Sequence, residues 1–247
     1  MNLSKDYPLI EMKGICKRFG NVDALMDVDF QINKNEIIGL VGDNGAGKST
    51  LINILSGYYQ ATKGKIFCSG KEVKIKSHID SINIGVDTIY QKAALVDQMS
   101  IYRNIFLGRE ILNRFGIMNE KMMSEKTMEL LNNIGISGIK SANSIVGDLS
   151  GGQKQSVAIA RAVNFKNKVL LLDEPTNSLS VKETHFVVDY IKELKKGGIS
   201  SVLVTHSLNI AYKIADRFVI LGHGKKIADL KMKDSTLKKI TDIIMLS

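Results

Sequence analysis

The chain has few of the features that mark secreted, disulfide-linked or membrane-spanning proteins. Its 247 residues include two cysteines, two prolines and no tryptophan. With only Cys16 and Cys68 available, we predict no disulfide framework and two ordinary thiols. No apolar run approaches the roughly 18–20 residues of a membrane-spanning helix, and the N-terminal MNLSKDYPLIEMKG lacks the apolar core of a secretory signal. We therefore expect a soluble chain that stays in the cytoplasm.

Charge and composition limit the function less sharply. Hydrophobic residues make up 44% of the chain and charged residues 24%, a mixture typical of globular proteins. The net charge of +9 comes from scattered lysines. It is compatible with a nucleotide, a nucleic acid or an anionic membrane surface, and does not choose among them. The histidines and cysteines show no spacing typical of a metal site.

Three apolar segments predict parallel strands that are buried on both faces. They are IIGLVG at 37–42, KVLLLDEP at 168–175 and SVLVTH at 201–206. Because helical patterns alternate with such strands for most of the length, the predicted fold class is α/β. Ligands of open α/β sheets collect at the carboxyl ends of the strands. We therefore expect the polar residues that follow these strands to lie around one place.

Two further regions have a different pattern. The first forty residues and GKIFCSGKEVKI at 64–75 are short, glycine-punctuated and strand-like, which predicts a small antiparallel layer. Residues 92–161 are mainly helical in pattern, with MSEKTMELLNNIG as one amphipathic helix, and predict an inserted helical subdomain. Since there is no internal repeat, low-complexity tract or Pro-rich linker, residues 1–247 are interpreted as a single domain.

The segment GDNGAGKST at 42–50 fits the pattern G-x-x-x-x-G-K-[ST] of a phosphate-binding loop. Small residues allow the backbone to wrap a polyphosphate, and the helix that follows adds its positive N-terminal end. Lys48 can reach the β- and γ-phosphates, and the Ser49 hydroxyl can bind Mg²⁺. The candidate nucleotide-binding residues here are Gly42, Asp43, Asn44, Gly45, Ala46, Gly47, Lys48, Ser49 and Thr50.

Polar residues at the ends of other strands are candidates for the chemistry on that phosphate. Asp173 can hold Mg²⁺ and Glu174 can orient or deprotonate the attacking water, although a solvated strand end is the plainer interpretation of an acidic pair alone. Gln91 could sense Mg²⁺ or the water, or be a surface amide. His206 could join the site or be an ordinary satisfied side chain.

A second glycine-rich helix start lies at LSGGQKQ, residues 149–155. Ser150 and Gln153 fit a capping box, so a well-capped helix is one interpretation. Gly151 and Gly152, however, weaken a helix by about 1 kcal/mol each relative to alanine. A cap does not need them, whereas close approach of another group to bare backbone N–H does. The pattern therefore predicts a second anion site.

Taken together, these motifs resemble the ATP-binding subunits of ABC transporters in order and spacing. The resemblance covers nearly the whole chain and implies a P-loop NTPase of the ABC ATPase fold. Residues 1–91 and 162–247 would form a RecA-like core with the antiparallel layer, and 92–161 the helical subdomain. It also implies ATP and Mg²⁺ as cofactors and a head-to-tail dimer. In that dimer Ser150, Gly151 and Gly152 would contact the γ-phosphate held by the partner's loop, and Gln153 would belong to the same ATP-binding set.

The same resemblance assigns individual roles. Phe19 would stack on adenine; the alternative is a core residue of the N-terminal layer. Glu174 would be the general base, and His206 the residue that holds the γ-phosphate and water. Gln91 would act at Mg²⁺ together with Ser49 and Asp173. The chain departs from the family at 177–180, where NSLS lacks the usual final Asp, so the resemblance does not extend to the cross-dimer contact of that Asp.

Further segments, including IYQKAALVDQMSIYRNIFLGRE and EPTNSLSVKET, resemble ribose/xylose-type sugar importers. This implies an ATPase subunit at the cytoplasmic face of the membrane, working with membrane permease subunits and indirectly with an extracytoplasmic substrate-binding protein. No nucleic acid is expected, although a soluble ABC-type ATPase acting on nucleic acid or the ribosome is the alternative. Candidate permease-groove residues, some of which could be core, are Ala93, Leu95, Val96, Met99, Ile101, Phe106 and Leu107.

Overall fold

A computed structural model describes residues 7–89, 95–133, 138–164, 167–176 and 180–246. The chain divides into two compact units. The first comprises Met1–Thr88, Asn167–Pro175 and Ile191–Ser247, and the second Ile89–Lys166 and Thr176–Tyr190. The helical subdomain predicted at 92–161 falls within the second unit, which also includes 176–190.

The strands and helices have the following bounds. The strands are β1 Ile10–Phe19, β2 Val22–Ile32, β3 Ile37–Val41, β4 Lys63–Cys68, β5 Lys71–Val73, β6 Val86–Ile89, β7 Val169–Asp173, β8 Ser200–Val204, β9 Arg217–Gly222 and β10 Lys225–Lys231. The helices are α1 Lys48–Leu55, α2 His78–Asn83, α3 Ile101–Ile105, α4 Glu120–Asn133, α5 Gly151–Asn164, α6 Val181–Lys196, α7 Leu208–Ile214 and α8 Leu237–Met245.

The larger sheet has the strand order β10-β9-β3-β8-β7-β6. Strand β3 pairs in parallel with β8 and β9, and β7 with β8, while β10 closes the edge antiparallel to β9. All residues of β3 and β8 are buried, as expected for central parallel strands covered on both faces. The α/β class predicted from the apolar segments is confirmed.

The smaller sheet is antiparallel, in the order β2-β1-β4-β5. Along β1 and β2, buried residues alternate with more exposed ones. This is the pattern of a sheet that packs on one side only. Ile10 and Phe30 from this sheet share one hydrophobic cluster with Leu40 of β3, Leu55 of α1 and Val204 of β8. The antiparallel layer predicted from the sequence is therefore present and packs on the core of the first unit.

A buried ion network, which the sequence pattern does not reveal, links several elements of the first unit. The Arg217 guanidinium contacts Glu36 at 2.8 Å and Asp229 at 2.9 Å, and donates to the carbonyl oxygen of Gln31 at 2.7 Å. Removing one partner of such a network leaves an uncompensated buried charge, which is strongly destabilising. Arg217 therefore joins β9 to β10, to the end of β2 and to the turn before β3.

The second unit has its own core. Helices α3, α4 and α5 contribute Ile101, Ile105, Met123, Leu131 and Val157 to one cluster, and α4 is the amphipathic helix predicted from its sequence. The buried Asn104 side chain bonds both backbone groups of Val96, at 2.7 and 3.0 Å. Within the described part of the chain, no helix combines the length and apolar character needed to cross a membrane.

Candidate functional site

Two glycines of the phosphate loop are required by their surroundings. Gly42, directly after β3, has φ 142°, and a Cβ there would lie 2.0 Å from the carbonyl oxygen of Leu221. Gly47, directly before α1, has φ 100°, and a Cβ there would lie 2.8 Å from the carbonyl oxygen of Ala24. Since L-residues rarely adopt these conformations, the path of the loop depends on glycine at both positions.

Lys48 begins α1, and its side chain folds back over the loop. Its Nζ donates to the carbonyl oxygens of Gly42 and Asp43, both at 2.8 Å, and the residue is only 6% exposed. Burial lowers the pKa of this ammonium, while the carboxylates of Glu174, Asp43 and Asp173 oppose that change. A buried cation with carbonyl partners in a glycine-rich loop is suited to receiving a polyphosphate oxygen.

The acidic pair stands at the carboxyl end of β7. Asp173 ends the strand, and Glu174 follows in a left-handed conformation at φ 49° with its N–H bonded to the carbonyl oxygen of Val204 at 2.9 Å. Burial raises the pKa of both carboxyls; Lys48 opposes this for Asp173, and His206 opposes it for Glu174. A non-glycine residue with positive φ is uncommon and clusters at functional sites.

His206 follows β8 and faces the acidic pair. Its Nε2 lies 3.2 Å from Oε1 of Glu174. That oxygen is buried and makes no hydrogen bond within the described residues, so the approach lacks the geometry of a directed hydrogen bond. The structure thus brings together the ends of β7 and β8, and the charges of Asp173 and Glu174 act on Lys48 of the loop. The expectation that these strand ends meet is confirmed.

Other predicted residues lie around this centre or outside it. Ser49 is exposed and Thr50 half-buried in the first turn of α1. Phe19 is 39% exposed at the end of β1, so it is not a core phenylalanine. Gln91 lies outside the described residues, as do Ala93 and 177–179.

The second glycine-rich element belongs to the second unit. The N–H of Ser150 donates to Oε1 of Gln153 at 3.0 Å, and the N–H of Gln153 donates to Oγ of Ser150 at 3.2 Å. This reciprocal pair confirms the predicted capping box. Gly151 is exposed, and a Cβ built on it would meet nothing within 4 Å. Packing within the chain therefore does not require glycine at this position.

Some residues around the loop were not predicted. The N–H of Gly224 donates to the carbonyl oxygen of Ala46 at 3.2 Å, so the turn between β9 and β10 braces the phosphate loop. Tyr58 and Tyr59 follow α1, and the ring of Tyr59 contacts Phe19. The turn H-G-K at 223–225 and the tyrosine pair at 58–59 are visible in the sequence. The residues that each of them contacts, however, are distant along the chain.

The donor set fits Mg²⁺ held together with a nucleotide. Among the described residues, no group of three or more His, Cys, Asp or Glu could hold a metal ion by itself. Mg²⁺ is usually bound by one or two carboxylates, water and the phosphates of a substrate. The Asp173 carboxylate and the exposed Ser49 hydroxyl are suitable protein ligands of this kind, and the unpartnered Oε1 of Glu174 can accept a hydrogen bond from water.

Comparison with known proteins identifies the family. The family model described as "ABC transporter" matches residues 25–177. The Xylose/arabinose import ATP-binding protein XylG of Sulfolobus acidocaldarius is 43% identical over 236 residues, which cover 96% of this chain and 93% of that protein. The chain belongs to the ABC transporter family. The resemblance seen in its motifs is confirmed, and the ATP and Mg²⁺ expected from them are the cofactors of this family.

Other relatives of this ABC-family chain differ in length. The Fructose import ATP-binding protein FrcA of Rhizobium meliloti is 37% identical, over 93% of this chain and 91% of that protein. The Ribose import ATP-binding protein RbsA of Caldanaerobacter subterraneus is 36% identical over 93% of this chain, but over only 46% of that protein.

Solved structures share the fold of this ABC-family chain. A nucleotide-free ATP-binding cassette from an ABC transporter matches with a TM-score of 0.82 and 25% identity, covering 97% of this chain and 96% of that one. A dimeric cassette in a post-hydrolysis state bound to ADP and phosphate matches with a TM-score of 0.76 and 26% identity, covering 90% and 98%. The predicted ABC ATPase fold is confirmed.

Proposed function

We propose that this chain is the ATP-hydrolysing subunit of an ABC importer for a monosaccharide. The observation that carries the proposal is the meeting of Lys48, Glu174 and His206 around a glycine-rich loop. Nζ of Lys48 is held by two loop carbonyls, and Oε1 of Glu174 lies 3.2 Å from Nε2 of His206. The names of the relatives support import of a sugar, with xylose or arabinose and fructose named for two relatives that this chain covers over 93% and 91% of their length.

Binding of ATP rests on the phosphate loop and α1. The backbone N–H groups of 42–50 and the N-terminal end of α1 surround the β- and γ-phosphates. Lys48 exchanges its carbonyl partners for phosphate oxygens, which bear more negative charge and make stronger bonds to an ammonium. Mg²⁺, when bound, neutralises charge on the phosphates, and Ser49, Asp173 and Gln91 are its proposed residues.

Hydrolysis requires a base beside the γ-phosphate. Glu174 has a buried oxygen without a hydrogen-bond donor in the described structure, so it can accept the proton of the attacking water. His206 approaches the same oxygen from a more exposed position and can hold the γ-phosphate or the water. In this mechanism the phosphate loop binds the β- and γ-phosphates, Glu174 deprotonates the attacking water, and His206 orients the γ-phosphate or the water.

A second copy of the chain, or a homologous ATPase subunit, completes the site. The N-terminal turn of α5, exposed at Ser150 and Gly151, offers backbone N–H groups to the γ-phosphate held by the other subunit. Each ATP then joins two subunits, and loss of the γ-phosphate lets them separate. The dimeric cassette with ADP and phosphate supports such an assembly.

The permease partner is proposed to dock near the segment that precedes α3. Leu95, Val96 and Met99 are half-buried there, and Leu107 is exposed. Ile101 and Phe106 belong to the core of the second unit, which removes them from a docking groove. The subunit would then lie at the cytoplasmic face of the membrane, with substrate choice made by the permease and an extracytoplasmic binding protein.

Affinity purification from the native cells tests the proposal. A tagged chain, released from gently solubilised membranes, should co-purify with a multi-helix permease, and the purified chain should release phosphate from ATP. A permease from a sugar operon and a sugar-binding protein would support the stated substrate class. Recovery of ribosomal proteins or DNA without a permease would contradict the transport function while leaving the ATP chemistry intact.

A further inference from the structure

Phe19 is not an isolated aromatic side chain. Nζ of Lys17 lies over its ring, 4.8 Å from the centroid, and also 5.5 Å from the centroid of the Tyr59 ring. Tyr59 meets Phe19 nearly edge-on, with centroids 5.0 Å apart and an interplanar angle of 71°. The same Nζ donates to the carbonyl oxygen of Gln60 at 2.8 Å. The ammonium is thus held in one position against both rings.

This cluster is connected to the helix that starts at the phosphate loop. The N–H of Tyr59 donates to the carbonyl oxygen of Asn53 at 2.9 Å, which fixes Tyr59 to the last turns of α1. Because α1 begins with Lys48, the tyrosine that contacts Phe19 is tied by this hydrogen bond to the helix that carries the phosphate-binding lysine. Tyr59 is also half-buried against the core of the first unit.

The cluster borders the phosphate loop on the side of β2. Phe19 pairs with Val22 across the turn between β1 and β2. Two residues further along β2, the carbonyl oxygen of Ala24 lies 2.8 Å from the position that a Cβ on Gly47 would take. Two strand residues span about 7 Å. The Phe19 ring therefore lies within the reach of a nucleotide whose phosphates occupy the loop.

We propose that Lys17 and Tyr59 are positioning residues for the nucleobase of ATP. The ammonium of Lys17 covers one face of Phe19, and Tyr59 fixes the tilt of that ring, so that the opposite face is presented for stacking. This inference rests on the proposed function, because it assumes that the chain binds ATP. It extends the role of Phe19 to two residues that never touch the base.

Two physical effects would strengthen stacking of the base on the Phe19 ring. A cation over one face draws π density towards itself, which favours an electron-rich base on the other face. A ring that is already fixed also loses less side-chain entropy when the base binds. The competing explanation is that Lys17 attracts the triphosphate simply by its charge, in which case the nucleobase and Phe19 would be irrelevant to its effect.

The test compares ATP with inorganic tripolyphosphate, which has the charge but not the base. Dissociation constants for both, with Mg²⁺, are measured by calorimetry for the wild type and for Lys17→Met, Lys17→Arg, Phe19→Leu and the double variant Lys17→Met/Phe19→Leu. Lys17→Met should weaken ATP binding about two- to fivefold, the loss expected for one exposed cation–π contact, and leave tripolyphosphate binding unchanged. Lys17→Arg, which keeps a cation over the ring, should bind ATP as the wild type does.

A matched control exists on the same strand. Nζ of Lys13 lies over the ring of Phe67, 5.2 Å from its centroid, so Lys13→Met removes the same charge and the same kind of contact at another place. This variant should bind both ligands as the wild type does. Thermal midpoints of all variants check that they remain folded.

The outcomes separate the possible roles. Equal losses for ATP and tripolyphosphate would overturn the inference in favour of simple charge attraction. So would a further loss of ATP affinity when Lys17→Met is added to Phe19→Leu, because Lys17 would then act without the ring. A wild type that binds tripolyphosphate but not ATP would contradict the proposed function itself, which is a different result from any change among the variants.

Discussion

Nε2 of His206 lies 3.2 Å from Oε1 of Glu174, although the two side chains have very different environments. The Glu174 side chain is 12% exposed and that of His206 58% exposed. The carboxyl is thus fixed and largely dehydrated, whereas the imidazole can move when a ligand arrives. Such a pair suits a base that must hold its position and a partner that must respond to the γ-phosphate.

Replacing Glu174 with glutamine should separate binding from hydrolysis. Glu174→Gln keeps the shape of the side chain but removes its ability to accept a proton, so ATP binding is retained and turnover falls by about a hundredfold or more. The variant should also accumulate as an ATP-dependent dimer, because the bridging γ-phosphate persists. Phosphate release and size-exclusion chromatography with and without ATP measure the two effects.

Glu193→Gln is the matched control for that variant. Glu193 is exposed on α6 and pairs with Lys196 at 2.7 Å, so its loss should leave turnover unchanged. Turnover of Glu174→Gln above about a tenth of the wild-type rate would remove Glu174 from the role of base, since general-base catalysis contributes far more than tenfold.

The pH dependence of the reaction should reflect the buried carboxyl. Burial raises the pKa of Glu174 above its ordinary value of 4.5, and the nearby Asp173 carboxylate acts in the same direction against the opposing His206. A base is active only when deprotonated, so kcat/KM should fall as the pH drops below this raised pKa, by about tenfold per pH unit. The acid limb should therefore lie at higher pH than that of an unperturbed glutamate. In the residual activity of Glu174→Gln the limb should disappear; its persistence would assign it to another group.

Sequence reasoning reached the phosphate loop and the strand ends because their constraints are local. A glycine pattern, a lysine and an apolar strand with acids after it can be recognised without knowing any distant contact. The left-handed backbone of Glu174 and its approach to His206 depend on the pairing of β7 with β8, which places residues about thirty positions apart side by side. The cluster of Lys17, Phe19 and Tyr59 depends likewise on how β1 packs beside the end of α1, and no local pattern predicts it.

Lys48→Ala should lose most of the affinity for ATP. The ammonium is a buried, preorganised donor in the loop, and charge-assisted hydrogen bonds of this kind correspond to about ten- to a hundredfold in affinity. A fluorescent nucleotide titration measures the loss. Lys65→Ala is the control, because Lys65 is exposed and pairs with Glu72 on the antiparallel sheet. Unchanged ATP binding in Lys48→Ala would contradict the assignment of the loop.

Two glycines of the loop should respond very differently to alanine. In Gly42→Ala the new Cβ would lie 2.0 Å from a backbone carbonyl oxygen, so the free energy of unfolding should fall by about 3 kcal/mol or more. Gly45 also has positive φ, at 81°, but a Cβ there meets nothing within 4 Å. Gly45→Ala should therefore lower the free energy of unfolding by only about 1–2 kcal/mol. Urea denaturation of the ligand-free chain measures both, and equal losses would show that the contact with Leu221 is not what requires glycine at 42.

Gly151→Ala tests whether the second glycine-rich helix start serves another molecule. Within the chain, a Cβ on Gly151 meets nothing, and alanine is the better helix former by about 1 kcal/mol. The variant should therefore be as stable as the wild type or slightly more stable, with unchanged affinity of the monomer for ATP. If backbone N–H groups of this turn approach the partner's γ-phosphate, the added methyl group separates them and both dimer formation and turnover should fall, turnover by about a hundredfold.

Thermal unfolding, nucleotide titration and phosphate release on the same preparation distinguish these effects. A stable variant that turns over at the wild-type rate would mean that Gly151 is not there for close approach, and the second glycine-rich element would be no more than a capped helix.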